Sequence, residues 1–434
     1  MNKPNDIKQR FLKNLSLTSD SIFSENKRKS FIKKINDLSF PDIKNEDWRF
    51  TDLTPLLSLD FNIIKNKVTS EDIQIEKKII KNLDSIVLVF INGILYEDLS
   101  NITDNKLFIG NISKGKLLQN EIINKYLNCL PEPNNIFALI NAAYSVDGAF
   151  IYLPENYISD KPIQLIYIND SEISNSLSQT RNIIIAEKNS QLKIIESYIS
   201  LSNKNNSFTN SFTTVFAQEN SNIEYYKLQN ENEHSFQINN TEIIQAKESS
   251  VNLNTISLNG GLIRNNSNVL LNGENTEIFL NGLYIIDSNK HIDNHTYIDH
   301  AKSNCSSNEL YKGILKDTST GVFDGKIMVR KDSQKTNAFQ ANKNILLSDA
   351  AKINTQPHLE IYADDVKCSH GATVGQLDQE AMFYLRSRGI DKDKAKSLLM
   401  YAFISDIINS VKIDELKQSI KHQVFNKLKM DSIL

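Results

Sequence analysis

Hydrophobic and polar positions follow different periods in successive parts of the 434-residue chain. Residues 1–83 and 376–434 carry apolar side chains three or four positions apart, which is the spacing of amphipathic helices. Between them, residues 84–375 form short apolar or alternating stretches separated by Asn, Ser, Gly and Asp, which is typical of strands and turns. The first part of this core, 84–148, mixes both patterns and contains a hairpin signal at Asn92-Gly93. The pattern predicts an N-terminal helical region, a β-rich core and a C-terminal helical domain.

A weak internal repeat runs through the β-rich core. Apolar residues that follow a short polar turn recur in steps of 27 to 31 residues, and the similar segment 349–353 is out of step. Repetition of strand units without long helices predicts a β-solenoid, in which each coil stacks on the next. A β-sandwich would not explain the steady step between repeats, and a doubly wound fold is excluded because it needs helices between its strands. The repeated apolar positions are Leu192, Ile223, Val251, Ile278 and Cys305. Cys305 is therefore predicted to be buried.

Three amphipathic helices are predicted after the core, at 378–387, at 392–410 with Asp391 as the N-cap, and at 414–429. The apolar residues of the second helix form a band wider than one core-facing stripe. Two interpretations stay open, since one side can bury against a partner protein or the helix can lie between layers of its own domain. The residues assigned to a partner by the first interpretation are Tyr401, Phe403, Ile404, Ile407 and Ile408.

Composition narrows the class of protein. The net charge of −3 gives no electrostatic argument for a nucleic-acid or anionic-membrane partner. The three cysteines, Cys129, Cys305 and Cys368, are far apart and odd in number, so we expect no disulfide framework and a reducing, cytoplasmic environment. No secretion signal is expected, and the longest apolar run, 86–96, is too short to span a bilayer. Phosphate-loop, dinucleotide-binding, nucleophile-elbow and metalloprotease motifs are missing, which favours a scaffold or binding protein over an enzyme.

Two further clusters have both structural and functional interpretations. Trp48, the only tryptophan, lies beside an arginine in the segment 45–53, where a packing anchor with a cation–π contact is favoured over a ligand platform. His291, His295 and His300 have spacings of four and five, which would serve a metal on a helix. Their surroundings indicate strand and turn, which argues against a metal site.

The densest chemistry in the chain lies between the β-rich core and the C-terminal helices, in the segment 364–375. Cys368 and His370 are two residues apart, and the period of a strand would put both side chains on one face. A thiolate and an imidazole are ligands for a borderline metal or an iron–sulfur species, but a tetrahedral site needs two more donors from the fold or from a second chain. The alternative is a small buried cysteine and a hydrogen-bonded turn histidine before Gly371.

Long contiguous motifs in the last third of the chain carry a resemblance to a known family. These motifs are the segments 310–314, 334–336, 340–342, 344–348, 359–375 and 383–389. They resemble the SufB/SufD family, the scaffold subunits of the SUF iron–sulfur cluster assembly machinery. The segment 46–51 is similar to the N-terminal motif of the SufD branch, and the cysteine-rich N-terminal segment of many SufB proteins is missing. The chain is therefore identified as a family member most like SufD.

The resemblance implies a right-handed parallel β-helix flanked by N-terminal and C-terminal helical regions. It also implies a heterodimer with SufB through the β-helix and docking of the ABC-type ATPase SufC on the C-terminal helices, with 401–411 facing the ATPase. His370 matches a family histidine implicated, with a SufB cysteine, in nascent cluster formation at the subunit interface, and Cys368 matches a neighbouring family cysteine. A transient iron–sulfur cluster or iron at that interface is implied, as is reduced-flavin binding by the complex, although the sequence shows no flavin site.

Some expectations stay open beside this resemblance. His358 stands where we expect glutamine or another polar residue, and it is either a further ligand facing His370 or a solvated strand residue. One rival function is a SufB-like subunit that holds the cluster alone as a homodimer. The other is a β-helix carbohydrate-active protein, which would have a secretion signal and clustered acidic residues on one solenoid face.

Overall fold

The computed structural model describes residues 4–15, 21–63, 73, 75–102, 107–170 and 175–428. The helices are α1 (Pro4–Leu15), α2 (Glu25–Asp37), α3 (Thr54–Leu57), α4 (Ile112–Leu118), α5 (Asn120–Asn128), α6 (Ile136–Tyr144), α7 (Gln379–Ser387), α8 (Lys392–Ser410) and α9 (Asp414–Leu428). Short 3-10 helices cover Glu46–Trp48, Ile75–Lys77 and Glu97–Leu99.

The strands lie mainly between the N-terminal and C-terminal helices. The first ten are β1 (Asn62–Ile63), β2 (Ile86–Ile91), β3 (Ile94–Leu95), β4 (Phe108–Asn111), β5 (Ala149–Leu153), β6 (Ile163–Asn169), β7 (Ser176–Ser178), β8 (Arg181–Ala186), β9 (Gln191–Ser200) and β10 (Ser207–Ala217). The others are β11 (Asn222–Asn230), β12 (Ser235–Gln245), β13 (Ser250–Asn259), β14 (Leu262–Leu271), β15 (Glu277–Ile286), β16 (His291–His300), β17 (Ser306–Leu315), β18 (Thr320–Val329), β19 (Thr336–Leu346), β20 (Lys352–Ile361) and β21 (Val366–Gly375).

Successive strands alternate between two sheets, so the chain forms a parallel β-solenoid, as the repeat predicted. Sheet A has the order β20-β18-β16-β14-β12-β10-β8-β5-β4, with β7 beside β10 and β1 beside β7. Sheet B has the order β21-β19-β17-β15-β13-β11-β9-β6-β2-β3. The antiparallel pairs β2–β3 and β4–β5 both lie at the N-terminal end of the sheets, and β2–β3 is the hairpin predicted at Asn92-Gly93. The C-terminal end consists of β20 and β21.

The register of sheet B explains most of the sequence repeat. Four of the five predicted positions, Leu192, Ile223, Val251 and Ile278, are aligned on successive strands. They face the interior between the sheets, where each is at most 1% exposed. The next residue in this column is Ser307, which pairs with Ile278. The step of about one coil is therefore real, and each coil contributes one side chain to an interior column.

The last step of the predicted repeat, from Ile278 to Cys305, does not match the register of the strands. Cys305 lies just before β17, two residues ahead of Ser307, so its assignment to the apolar column was wrong. Its predicted burial is confirmed, since Cys305 is fully buried and the Thr276 hydroxyl donates to its Sγ at 3.0 Å. The segment 349–353 was out of step because Ile353 pairs with Gly321 in sheet A.

Asparagine has a structural role at the turns between the sheets. Asn156, Asn189 and Asn220 have φ angles of 60°, 57° and 54°, in the left-handed region that asparagine tolerates better than most residues. The Asn189 side-chain amide donates to Asn156 Oδ1 at 2.7 Å, and that of Asn220 donates to Asn189 Oδ1 at 2.9 Å. Equivalent turns of neighbouring coils are thus tied together by a ladder of side-chain amides.

Apolar side chains fill three layers. The largest cluster lies between the two sheets and consists of inward-facing residues from both. A second cluster covers the outer face of sheet A with residues of α1, α2, α5 and α6. Two clusters cover the outer face of sheet B, one with α8 and α9 and a smaller one around β2 and β6. In the described part of the chain, no helix combines the length and apolar character needed to cross a membrane.

Trp48 anchors the N-terminal segment to sheet A. Its side chain is buried, and the guanidinium carbon of Arg264 lies 3.8 Å from the ring centroid. Arg264 Nη1 also donates to the Asp47 carbonyl at 2.7 Å and to Asp293 Oδ2 at 2.6 Å. The packing anchor and cation–π contact are confirmed, with Arg264 as the cation; the adjacent Arg49 lies over Phe50 instead.

Candidate functional site

The C-terminal end of the solenoid is open. β20 and β21 are the last strands of sheets A and B, and they pair only with β18 and β19 within the described ranges. β21 is mostly exposed, and Gly371 and Gly375 face open space. Two edge strands with unpaired backbone groups therefore lie at the same end of the molecule, and such edges are templates for pairing with another chain.

Cys368 and His370 lie on β21 and share its inner face. Cys368 pairs with Ala338 and His370 pairs with Gln340, and both partners are buried inward-facing residues of β19. The residue between them, Ser369, pairs with Phe339, which is exposed on the outer face. Cys368 is half-buried against the interior cluster, whereas His370 is exposed at the rim. The strand alternation thus brings the thiol and the imidazole to the open end of the interior.

The Cys368 thiol of the isolated chain is protonated at neutral pH. Burial raises its pKa above the usual value for a cysteine, against a smaller lowering effect from a hydrogen bond with the Ala338 backbone. A thiol must lose its proton to bind a metal or attack an electrophile. The isolated site therefore holds the thiol in its unreactive form, and an incoming cation would be needed to stabilise the thiolate.

The chain does not complete a metal site around this pair. Among the residues that the structure describes, no group of three or more His, Cys, Asp or Glu side chains could hold a metal ion. A thiolate and an imidazole provide two ligands, and tetrahedral iron or zinc needs four. Further donors would have to come from outside the described chain.

A buried acid behind His370 was not found from the sequence. Glu309, Gln340 and His370 form one interior column, because Glu309 pairs with Gln340 and Gln340 with His370. Gln340 Nε2 donates to Glu309 Oε2 at 2.7 Å, and burial raises the pKa of Glu309 to about 7. In the described part of the chain, Gln340 Oε1 has no hydrogen-bond partner, and the hydrogen bonds of Glu309 with Thr296 and Gln340 do not offset the effect of burial on its pKa. The spacings of 31 and 30 residues correspond to one coil each, but coil lengths vary, so the pairing of the strands is needed to identify this column.

His358 does not face His370. It lies on β20, and its neighbour Leu359 packs into the interior, so His358 is on the outer face of sheet A. Its Nε2 is 3.9 Å from Asp324 Oδ1, and about half of its side chain is exposed. The hypothesis of a further ligand from His358 is therefore wrong, and the alternative of a solvated strand residue describes it.

The three histidines of β16 point to opposite faces. His291 and His295 lie on the outer face of sheet A, with His291 Nε2 2.9 Å from Thr51 Oγ1 and His295 Nε2 2.9 Å from Asp293 Oδ1. His300 lies in the interior, where its Nε2 is 2.9 Å from Ser307 Oγ. They cannot bind one metal ion together, because strand alternation separates His300 from the other two.

Helix α8 packs mainly within its own chain. Its Asp391 cap is present, since the Asp391 carboxylate accepts from the backbone N–H groups of residues 393 and 394. Three residues assigned to a partner, Ile404, Ile407 and Ile408, are fully buried against sheet B and α9. The interpretation of α8 as a helix between layers describes these isoleucines, which are not available to a partner in this structure.

The other two residues assigned to a partner are partly exposed. Tyr401 packs edge-on against Phe425 of α9, with ring centroids 5.3 Å apart, and the Lys312 ammonium lies 4.9 Å from the Phe403 ring centroid. By contrast, α7 has no buried residue, and its Phe383 and Tyr384 are 75% and 57% exposed. The larger apolar surface of the C-terminal region is therefore on α7.

Two family models match the chain. The SufBD core domain of SUF-system FeS cluster assembly matches residues 167–403, and the SufBD protein N-terminal region matches residues 9–165. The core match alone covers more than half of the 434 residues. The chain belongs to the SufB/SufD family of iron–sulfur cluster assembly scaffold proteins.

Similar proteins place it within that family. A SufBD family iron–sulfur cluster assembly protein of Synechocystis is 33% identical over 419 residues, which cover 94% of this chain and 92% of that protein. Iron–sulfur cluster assembly protein SufD of Escherichia coli is 29% identical over 391 residues, 89% of each chain. SufD of Bacillus subtilis is 26% identical over 298 residues, 67% of this chain and 66% of that protein. Within the family, this chain is most like SufD.

Proposed function

We propose that this chain is a cytoplasmic, non-catalytic scaffold subunit that pairs with a SufB-like subunit and a SufC-like ATPase. In that complex, His370 and Cys368 contribute to a nascent iron–sulfur cluster at the interface with the SufB-like subunit. The observation that carries the proposal is the open solenoid end, where two unpaired edge strands lie beside an exposed imidazole. Similarity to proteins named SufD supports it.

The pairing surface is the last coil of the solenoid. A partner strand on β20 and another on β21 would satisfy the unpaired backbone groups of both sheets, which is β-strand addition. Apolar side chains that are exposed in the single chain surround these edges, and such patches are typical of interfaces. They are Phe339, Ile361, Tyr362 and Val374. A SufB-like subunit with the same solenoid end fits this surface, because equivalent edges can pair about a two-fold axis.

The interface would complete the ligand set that this chain lacks. A cysteine thiolate from the SufB-like subunit, together with the His370 imidazole, suits iron bound to sulfide. Positive charge from the arriving iron would also favour deprotonation of Cys368. A mixed set of soft and borderline ligands from two chains can be separated by movement of the subunits, which suits a scaffold that must release its cluster.

The ATPase would dock on the C-terminal helices. The exposed Phe383 and Tyr384 rings of α7 are the proposed contacts, with Tyr401 of α8 at the margin. Rotation of the two ATPase subunits on ATP binding would then act on the adjoining end of the solenoid. Reduced-flavin binding by the complex stays a prediction of the family resemblance, and no residue of this chain is assigned to it.

The proposal is tested by co-expressing the chain with the SufB-like and SufC-like proteins of the same organism. Complex mass and cluster formation on anaerobic reconstitution are measured for wild type, His370→Ala and the control His234→Ala, whose histidine is exposed in a different coil. We expect all three to assemble and only His370→Ala to lose cluster formation. Normal cluster formation by an assembled His370→Ala complex would remove His370 from the chemistry.

Other outcomes bear on the partners. Failure of the wild-type chain to bind the SufB-like protein would refute the proposed pairing. A coloured cluster on the isolated chain, with a homodimeric mass, would support the rival function of a scaffold that holds the cluster alone.

A further inference from the structure

Pro357 lies in the middle of β20, one of the two edge strands at the open end of the solenoid. Its register partner on β18 is Gly325, and the pairing of β18 with β20 runs without a shift from Thr320 to Val329. Proline has no backbone N–H, so within a sheet it is tolerated where that group would point away from the neighbouring strand. The orientation of Pro357 therefore decides which side of β20 lacks a hydrogen-bond donor.

Hydrogen bonds at both ends of β20 show which backbone groups face the free edge. The Lys352 N–H donates to the Ser319 carbonyl at 2.9 Å, and the Tyr362 N–H donates to the Val329 carbonyl at 2.9 Å. Because the backbone groups of successive residues in a strand point to opposite sides, the even-numbered residues of β20 bond to β18. The odd-numbered residues, which include Pro357, face the free edge. β20 thus offers a partner strand no N–H at its centre.

The free edge of β21 has no such gap. The Asn337 N–H donates to the Cys305 carbonyl at 3.0 Å, so odd-numbered residues of β19 bond to β17 and even-numbered residues bond to β21. The stagger of a parallel ladder then directs the backbone groups of the even-numbered residues of β21, including His370, to the free edge. β21 contains no proline, so every one of these residues carries an N–H.

The gap in β20 lies at the same level of the solenoid as His370. One coil earlier, a Cβ atom added to Gly325 would lie 2.4 Å from Gln340 Nε2, so these two positions face each other across the interior. Pro357 follows Gly325 in sheet A, and His370 follows Gln340 in sheet B. Pro357 and His370 therefore lie on opposite walls of the last coil.

A partner strand on β20 would lack one hydrogen bond beside Pro357. The partner carbonyl at that point would receive no donor from this chain, and an unpaired backbone group at an interface is unfavourable unless water reaches it. A partner strand on β21 would find a donor at every outward position, including His370. The pairing at β20 is therefore the weaker half of the interface.

We propose that Pro357 sets the lability of the subunit interface, which opens first along β20 while the pairing along β21 holds. This inference rests on the proposed pairing with a SufB-like subunit and names a residue that tunes it. Opening at β20 would uncover the wall opposite His370 without moving the imidazole away from the partner. Such an opening suits release of a cluster from a complex that stays assembled.

The dissociation rate from an immobilised SufB-like protein tests the proposal, with the full-length chain in solution and surface plasmon resonance as the readout. Pro357→Val and Pro357→Ala both restore the outward N–H, so we expect each to dissociate about fivefold more slowly than wild type. The control is Pro154→Val, which adds an N–H in the turn after β5, at a distance from the interface, and should leave the rate unchanged.

Two results would overturn the role of Pro357 and one would refute the pairing itself. Wild-type rates in both Pro357 variants would show that the missing N–H does not weaken the interface. Slower dissociation of Pro357→Val alone would assign the effect to the branched side chain instead of the N–H. No binding of the wild-type chain would refute the proposed pairing with the SufB-like subunit.

Hydrogen–deuterium exchange locates the weaker half of the interface. On binding of the SufB-like protein, we expect peptides that cover β21 to gain more protection than peptides that cover β20. Pro357→Val should raise the protection of β20 towards that of β21. Equal protection of the two strands in the wild-type complex would contradict an interface that opens first along β20.

Discussion

A Glu309→Gln variant should be more stable than the wild-type chain in alkaline solution and equal to it in acid. Burial raises the pKa of Glu309 to about 7 in the folded protein, from an ordinary value of 4.5 that applies to the unfolded chain. The folded state therefore binds this proton more tightly, and the wild type loses stability as the pH rises from the lower to the higher value. At roughly 1.4 kcal/mol per pKa unit, the loss is about 3 kcal/mol.

The substitution keeps the local geometry and removes only the titration. The glutamine oxygen can still accept the hydrogen bond that Gln340 Nε2 donates to Glu309 Oε2. Free energies of unfolding are measured by urea denaturation at about pH 5 and about pH 8.5, where the wild-type carboxyl is mainly neutral and mainly charged. Glu231 and Glu242, whose pKa values burial raises to about 8 and about 7, titrate in both proteins and cancel in the difference.

An exposed glutamate on the same sheet provides the control. Glu277→Gln should show the same difference from wild type at both pH values, because Glu277 is exposed at the start of β15. If Glu309→Gln behaves like this control, Glu309 is not a buried, desolvated acid and the reasoning about the column behind His370 fails.

Three further predictions concern packing and reactivity. Trp48→Ala should lower the free energy of unfolding by about 3–5 kcal/mol, because a buried ring is lost and Arg264 loses its cation–π partner. A loss below about 1 kcal/mol, measured by urea denaturation, would contradict the role of Trp48 as an anchor. Ile407→Ala should lower the free energy of unfolding by about 2–5 kcal/mol, because Ile407 is buried. Phe383→Ala should change that free energy by under about 0.5 kcal/mol, because Phe383 is exposed, and should weaken capture of the ATPase in a pull-down. Equal destabilisation by the two variants would refute this prediction. At about pH 8, iodoacetamide should alkylate Cys368 in the isolated chain more slowly than it alkylates free glutathione, because burial raises the pKa of the Cys368 thiol. Peptide mass spectrometry measures the rate for Cys368, and equal rates for the two thiols would contradict this prediction.

The solenoid was predictable from local pattern, but its register was not. Strand alternation and turn residues depend on neighbours in sequence, so the strand-rich core and the approximate step of the repeat were correct. Coil lengths vary because turns between the sheets have different lengths. An error of two residues is enough to misalign a column, and this explains why Cys305 was assigned to the position that Ser307 occupies.

At the candidate site, too, the sequence predicted the local features but not those that depend on pairing between coils. The two-residue spacing of Cys368 and His370 implied a shared face, and this required only that the segment be a strand. The position of Glu309 behind them depends on pairing between coils about 30 residues apart, which no local signal reports. For the same reason the sequence left two alternatives open for His358, a further ligand or a solvated strand residue, because its face depends on the parity of β20 in the other sheet.

The sequence by itself determined which segments are helix or strand, the stacking of strand units into a solenoid, and the family to which the chain belongs. These follow from periods of two and about 3.6 residues, from the turn residues and from long contiguous motifs. Only the tertiary structure decided that the isoleucines of α8 cover sheet B, that α7 is left exposed, and that the solenoid ends on two free edges. An apolar residue needs burial, but its sequence does not state which surface will bury it, because that choice depends on contacts between segments far apart in the chain.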